Sequence, residues 1–214
     1  MDNLPETLDE TYRRTLQDID KADLVLTRRL FDCVSVTCHP LSAEELAELL
    51  EFNLKAKPFR LFSKDWRQED LEDAVQSSYS SLLSIVNVED SLVVQFSYIS
   101  VREFLGNVRL AQDKDDNPWY RENMTTAHTL VTQVCLDVLL HLDKNVITRD
   151  SLRRFSLLMG YAAEHWVDHA RFGNVSKIVD NRMKRLFDPR RPHLEVCLWI
   201  HDPRSSEMDA TQTS

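Results

Sequence analysis

Two histidines four residues apart, with an acid beside them, are the clearest chemistry-bearing pattern in the chain: Glu164, His165 and His169 in AEHWVDHA. Side chains at i and i+4 share a helix face, and two imidazoles so placed can take a zinc ion. The order HExxH of the zincins is not met, because the acid precedes the first histidine. A third ligand has to come from elsewhere in the chain, with His128, His141 and Cys135 as the candidates. The competing reading is that both rings pack at a helix–helix contact beside Trp166, and that reading is preferred. No metal ligand is assigned.

Other reactive patterns are weaker. The paired carboxylates Asp9 and Glu10, Glu44 and Glu45, and Asp115 and Asp116 fall at expected helix starts or in a polar stretch. Acids at helix N-termini are favoured by the dipole, so capping and solvation account for them. Arg182, Lys184, Arg185, Arg190 and Arg191 form a basic run. It reads first as a solvated helix end. Phosphates, an acidic partner or the acidic first half of the chain are the alternatives. Neither GxxxxGK[ST] nor GxSxG occurs, which argues against a glycine-rich nucleotide cradle and the common hydrolase elbow within this chain. No Ser-His-Asp or Cys-His set follows from spacing. The expectation is a chain with no catalytic residue and no cofactor.

The elements that carry these residues are mostly helical. The chain has 214 residues, 43% of them hydrophobic, with only 3 Gly and 7 Pro, which suits a packed core rather than a loop-rich fold. The formal charge is −9, unevenly spread. Residues 1–116 carry 13 Lys+Arg against 23 Asp+Glu, or −10, and residues 117–214 carry 13 against 12, or +1. An acidic first half repels phosphate backbones, so no nucleic-acid partner is expected. The cysteines Cys33, Cys38, Cys135 and Cys197 are scattered without CxxC. No secretory signal and no membrane span is read, so the expected setting is a reducing cytoplasm without a membrane partner.

The stretch LVVQFSYISVREFL at residues 92–105 organises the first half. Alternation of Val94, Phe96 and Tyr98 with Val93, Gln95 and Ser97 has the period of a strand. Ser100 and Glu103 then have capping-box spacing, flanked by Ile99 and Phe104 as a hydrophobic staple. A strand is therefore expected to run into a helix without a slack joint. Upstream, Thr7 with Glu10 opens a helix carrying Leu8, Tyr12, Leu16 and Ile19. Asp20 caps a second, with a stripe of Leu26, Leu30, Cys33, Val34 and Thr37, which His39-Pro40 ends. Ser42 with Glu45, stapled by Leu41 and Leu46, opens a third that buries Leu46, Leu49 and Leu50. Two helices across a tight proline turn resemble a helix-turn-helix. Residues 55–65 read as a connection with a short strand at 60–62, and 68–83 as helix. A strand at 84–88, a three-residue turn at Glu89-Asp90-Ser91 and a strand at 92–98 make a β-hairpin.

The helix from Ser100 is expected to reach about residue 110, and the polar stretch 111–118 reads as a linker. Beyond it, Leu130, Val131, Val134, Cys135, Val138 and Leu142 form a helical stripe. Thr148 caps a short helix through Arg154. Leu158, Tyr161, Ala162, His165, Trp166 and His169 mark another, closed by Gly173. Asn174 caps a helix carrying Val175, Ile178, Val179, Met183, Leu186 and Phe187, stopped by Asp188-Pro189. Residues 193–201 form a last short helix. No period of about 33 residues marks an ankyrin array in the chain itself. The expected fold is mainly α: a winged-helix domain at 1–112 with a short β-hairpin, a helical bundle or solenoid-like arm at 119–202, and a disordered tail at 203–214.

Five blocks in order resemble one known arrangement: residues 4–23 (LPETLDETYRRTLQDIDKAD), 39–50 (HPLSAEELAELL), 93–105 (VVQFSYISVREFL), 161–172 (YAAEHWVDHARF) and 186–202 (LFDPRRPHLEVCLWIHD). It is the segment after the nucleotide-binding (NACHT) domain in fungal STAND-type signalling NTPases, many of which continue into ankyrin repeats. The winged-helix part is similar to the one named after GPI inositol-deacylase. The resemblance spans residues 4–202 and implies a regulatory, protein-binding role without catalysis. Its implied partners are a NACHT NTPase or ankyrin-repeat regions, in cis or in trans. Tyr98 stands where the family shows histidine in QFSHxSVxEFL. Neither an NTPase nor a repeat array is present in these 214 residues. A winged helix that binds DNA through the helix after Ser42 is the alternative, disfavoured by Glu44, Glu45, Glu48 and Glu51.

Overall fold

The computed structural model describes residues 7–19, 24–51, 73, 75, 81–106, 124–141 and 157–201. These fall into two compact units that divide between Ala127 and His128. The protein is mainly α-helical, with one two-stranded antiparallel sheet among the described residues. The expected linker at 111–118, the connection at 55–65, the short helix after Thr148, Leu142 and the tail lie outside the described residues. Of the helix expected at 68–83, Asp73 and Val75 are helical, but Ser81 and Leu82 form a turn and Leu83 already belongs to the first strand; the rest lies outside the described residues.

The first unit begins with α1 (Leu8–Gln17), α2 (Leu24–Val36) and α3 (Ala43–Glu51). Local capping explains where α1 and α3 start. Thr7 Oγ1 accepts from the Glu10 N–H at 3.2 Å. Glu10 does not complete the reciprocal box; its carboxylate instead takes Arg13 at 2.8 Å. Ser42 makes the full box: its N–H donates to Glu45 Oε2 at 2.9 Å, and its Oγ accepts from the Glu45 N–H at 3.1 Å. Its staple residues Leu41 and Leu46 are both buried.

The hairpin is β1 (Leu83–Val88) and β2 (Ser91–Phe96), in register Leu83↔Phe96 through Val88↔Ser91. The connection is therefore the two residues Glu89 and Asp90, not three, and β2 starts a residue early and stops two residues short of Tyr98. Glu89 and Asp90 have φ of 48° and 67°. Positive φ at both central residues is what a primed turn needs to match the strand twist. The tighter turn follows from that twist, which Ser91 joins by pairing.

β2 is held on both edges. β1 lies on one side; on the other, Ser42 bridges Val93 and the Val94 N–H donates to Leu41 O at 3.2 Å. The residues before α3 thus act as a one-bond third strand. Val94 is buried, and Phe96 stacks on Phe31 of α2 with ring centroids 6.4 Å apart.

The joint after β2 is as tight as expected but built differently. α4 (Ile99–Gly106) begins at Ile99, so Ser100 lies inside the helix rather than at its cap. Its Oγ is hydrogen-bonded to Tyr12 OH at 2.8 Å, and the Tyr12 ring packs 5.5 Å from Phe104. Ile99 is 74% exposed, so it does not staple onto Phe104. A tertiary partner on α1 has replaced the local capping box. The Val101 N–H to Tyr98 O bond at 3.1 Å and the Ser97 N–H to Leu82 O bond at 3.0 Å fix the chain across the joint.

The second unit is helical throughout its described part. α5 (Met124–Leu140) enters it at His128, and from Val131 to Leu140 every residue but Gln133 is buried. A helix buried all round belongs to a core, and this stretch of α5 does. α6 (Met159–Ala170) ends before Gly173, whose φ of 52° is the left-handed turn a helix terminus assigns to glycine. The expected single helix after Asn174 is two: α7 (Val175–Ile178) and α8 (Asp180–Leu186), broken at Val179. Asn174 makes no side-chain cap. Val175, Val179 and Leu186 are buried, whereas Ile178 and Phe187 are exposed, so a break lets only part of the apolar stripe reach the core. α9 (His193–His201) packs on α6. Among the described residues no helix is long and apolar enough to cross a membrane.

Two outcomes test this account. Ser42→Ala removes the Oγ acceptor of the α3 cap while keeping the backbone N–H to Glu45, and is expected to destabilise the chain by about 1 kcal/mol in denaturant unfolding. Asp90→Gly relieves a left-handed non-glycine residue and is expected to stabilise by roughly 0.5–1 kcal/mol in the same assay.

Candidate functional site

The histidines gather at one place in the second unit, around His169. This ring sits on α6 and is 0% exposed. Its Nε2 lies 2.7 Å from Tyr161 OH, one α6 turn pair upstream, and its Nδ1 lies 2.9 Å from His128 Nδ1 on α5. Three protonic groups therefore form one chain, Tyr161–His169–His128. Each link carries one hydrogen, and the tautomers are set as a group. The His128 ring is half-buried and stacks on Phe172 at 4.1 Å with planes 13° apart. Tyr161 also packs against His165, with centroids 4.9 Å apart.

Electrostatics keep the rings neutral. Burial, then the nearby His128 and His165, push His169 from its usual 6.5 down to about 4, with Asp168 acting weakly the other way. Burial also lowers His128. A desolvated imidazolium without a close carboxylate is unfavourable, which accounts for the direction.

The pair read from the sequence is divided by this arrangement. His169 uses both ring nitrogens in the hydrogen bonds above, so a metal would have to displace one. His165 is turned to its helix neighbours, with Nδ1 3.4 Å from Asp168 Oδ2 and Nε2 3.8 Å from Glu164 Oε2. His128, weighed as a third ligand, meets His169 by a hydrogen bond. His141 caps its own helix, its Nδ1 lying 2.7 Å from Asp137 O. Cys135 is buried in α5. The rings are thus packed at a contact between helices. Trp166 lies on the same helix, against Phe187 with centroids 6.0 Å apart, and shares a hydrogen bond with Cys197 that partly offsets the upward push of burial on that thiol. None of the four cysteines, all of them described, is joined in a disulfide.

The basic run is also redistributed. Arg182 is bound bidentately to Asp137 of α5, with Nε–Oδ1 2.9 Å and Nη2–Oδ2 3.0 Å. Asp137 is buried within the apolar run Val134 to Leu140, and a buried carboxylate requires a partner. Lys184 pairs with Asp180 and Arg190 with Asp188, both at exposed positions. The Arg190 hydrogen bonds hold the Asp188 carboxyl below its usual range. Arg182 was missed as structural because its partner is 45 residues away. The one available signal was Asp137 itself, an acid in a nearly continuous apolar run.

In the first unit α3, the reader helix of the DNA-binding alternative, buries most of its residues and leaves Glu44 exposed. Ala43, Leu46, Ala47, Glu48, Leu49 and Leu50 are all buried, against α2 and β2 among others. The large apolar residues the unit exposes instead include Tyr98 and Ile99, 65% and 74% exposed at the β2–α4 joint.

Comparison with known proteins adds one distant relative. No family model matches the chain, and no solved structure matches it. The chain is similar to azaphilone pigments biosynthesis cluster protein L of Monascus ruber, at 30% identity over 195 residues. The aligned part is 86% of this chain and 39% of that protein, so the chain spans well under half the relative's length.

The ion pair supplies a measurable outcome. Arg182→Met leaves Asp137 buried and is expected to cost about 2–4 kcal/mol in urea unfolding, whereas the double change with Asp137→Leu recovers most of that loss.

Proposed function

We propose that this chain is a non-catalytic protein-interaction module of the cytoplasm, equivalent to the segment between the nucleotide-binding domain and the ankyrin repeats of NACHT-type signalling NTPases. The observation that carries the reading is the β2–α4 joint. Tyr98 and Ile99 are large, apolar and mostly exposed. They stand on backbone held by the Ser97–Leu82 and Val101–Tyr98 hydrogen bonds and braced by Tyr12 on Ser100. Rigid, exposed aromatic and aliphatic side chains lose little entropy on docking, which makes them good anchors for a protein partner. The position lies within one of the five blocks that resemble the family, with Tyr98 standing where the family shows histidine. The partner it points to is a NACHT NTPase surface or an ankyrin-repeat region, in cis or in trans.

Two further observations support this reading. The polar groups of the histidine cluster are engaged with one another, and the described ion pairs are structural. The Monascus relative aligns over 39% of its length, which suits a module carried within a longer chain. Its name places that protein in a biosynthesis cluster and names no reaction. The DNA-binding alternative is disfavoured by Glu44 and Glu45 in the first turn of α3, which repel phosphate.

The test is calorimetric titration of the full chain with a recombinant NACHT NTPase from the same genome. Binding is expected, and the double change Tyr98→Ser with Ile99→Ser is expected to weaken it at least about tenfold with unfolding unchanged. Equal affinity of both proteins, or ATP hydrolysis by the purified chain alone, overturns the reading. Titration with mixed duplex at low salt is expected to show no binding.

A further inference from the structure

We infer that the ring-to-ring hydrogen bond between His128 and His169 is an acid-operated latch, holding α5 to α6 only while at least one of the two rings is neutral. The geometry sets the condition. The two Nδ1 atoms are 2.9 Å apart, which leaves room for one hydrogen between them. With both rings neutral, one Nδ1–H donates to the other's lone pair. With one ring charged, a single hydrogen still lies between them, and Nε2 of His169 still meets the Tyr161 hydroxyl. With both rings charged, each Nδ1 carries a hydrogen aimed at the other. The hydrogens collide and two like charges face each other with little water between. His128 then has to leave, and its stack on Phe172 goes with it.

The groups around the latch do not rescue the doubly charged state. From α5 the ring faces His128. From α6 it faces Tyr161, His165 and Asp168, and of these only the Asp168 carboxylate favours charge on His169. Asp168 is exposed and also lies beside His165, so its help is shared with a second imidazole. α7 begins with buried Val175, and α9 meets α6 through Cys197, bonded to Trp166. Asp137, the acid buried in α5, is already bound to Arg182 of α8.

The sign follows from where each state takes its protons. In the opened chain an imidazole titrates near its ordinary 6.5, while His169 enclosed in the fold is depressed to about 4. The open form therefore binds more protons between those values. The latch is at full strength above pH 6.5 and weakens as the pH falls toward 4. The ratio of closed to open falls by about tenfold per pH unit for one such ring, and faster where His128 contributes as well.

The test uses the full chain with ring-labelled histidine, followed by NMR from about pH 7.5 to 3.5, alongside amide exchange in α5 and α6. The expected result is a coupled His128–His169 signal that disappears together with amide protection, in a transition steeper than one proton. Both rings charged while those amides stay protected overturns the latch. His128→Gln keeps an acceptor for the His169 N–H but cannot take a charge. It is expected to move the acid opening at least about half a pH unit lower. An unmoved midpoint overturns the proposal. Should that variant fail to fold, the wild-type ring titration decides alone, because it reads both charges directly.

Discussion

A wholly enclosed imidazole needs a partner for each ring nitrogen, and the second unit is arranged around meeting that need for His169. Tyr161 comes from the same helix two turns earlier; His128 comes from α5. The apolar shell alone would hold these helices together in many relative positions, since hydrophobic burial has no direction. The 2.9 Å hydrogen bond from His169 to His128 does have direction, so it selects one alignment of α6 against α5, while the 2.7 Å bond to Tyr161 orients the His169 ring on its own helix. The Asp137–Arg182 pair repeats the device nine residues along α5 and ties it to α8. Both polar contacts are charge- or proton-sensitive, so the unit's register is linked to conditions that an all-leucine core would ignore.

In the first unit the directional element is backbone. β2 is paired on one edge by β1 and on the other by Leu41 and Ser42. The segment before α3 therefore has two duties: Ser42 caps α3 with its side chain and joins the sheet with its backbone. That double use fixes α3 relative to the hairpin. The joint to α4 is fixed in turn by Tyr12, which reaches from α1 to Ser100. The consequence for recognition is that Tyr98 and Ile99 stand on restrained backbone.

Legibility differed by the range of the interaction concerned. The α3 capping box, the hairpin, the close of α6 before Gly173 and the burial of Cys33 and Cys135 could all be read from neighbours within a few residues. The Ser100–Glu103 box could be read equally well and is not made. Its serine was claimed by a tyrosine 88 residues away in sequence. The apolar stripe after Asn174 was also read as one helix and is divided into α7 and α8. At the histidines, the sequence led to packing rather than a metal, but it weighed His165 with His169 where the contact is His128 with His169. Helical spacing shows which residues share a face. It does not show which of them turns inward toward another helix.

The sequence by itself determined the mainly helical class, the position of the hairpin, the caps at Thr7 and Ser42 and the stop before Gly173. These depend on backbone propensity, capping and periodicity, which act over one or two turns. Only the tertiary structure decided that Arg182 neutralises Asp137, that Glu48 of α3 is enclosed, and that three protonic side chains meet around His169. Those outcomes depend on which distant group arrives at a buried polar atom. The cost of leaving such an atom without a partner is what turns a possible contact into an obligatory one.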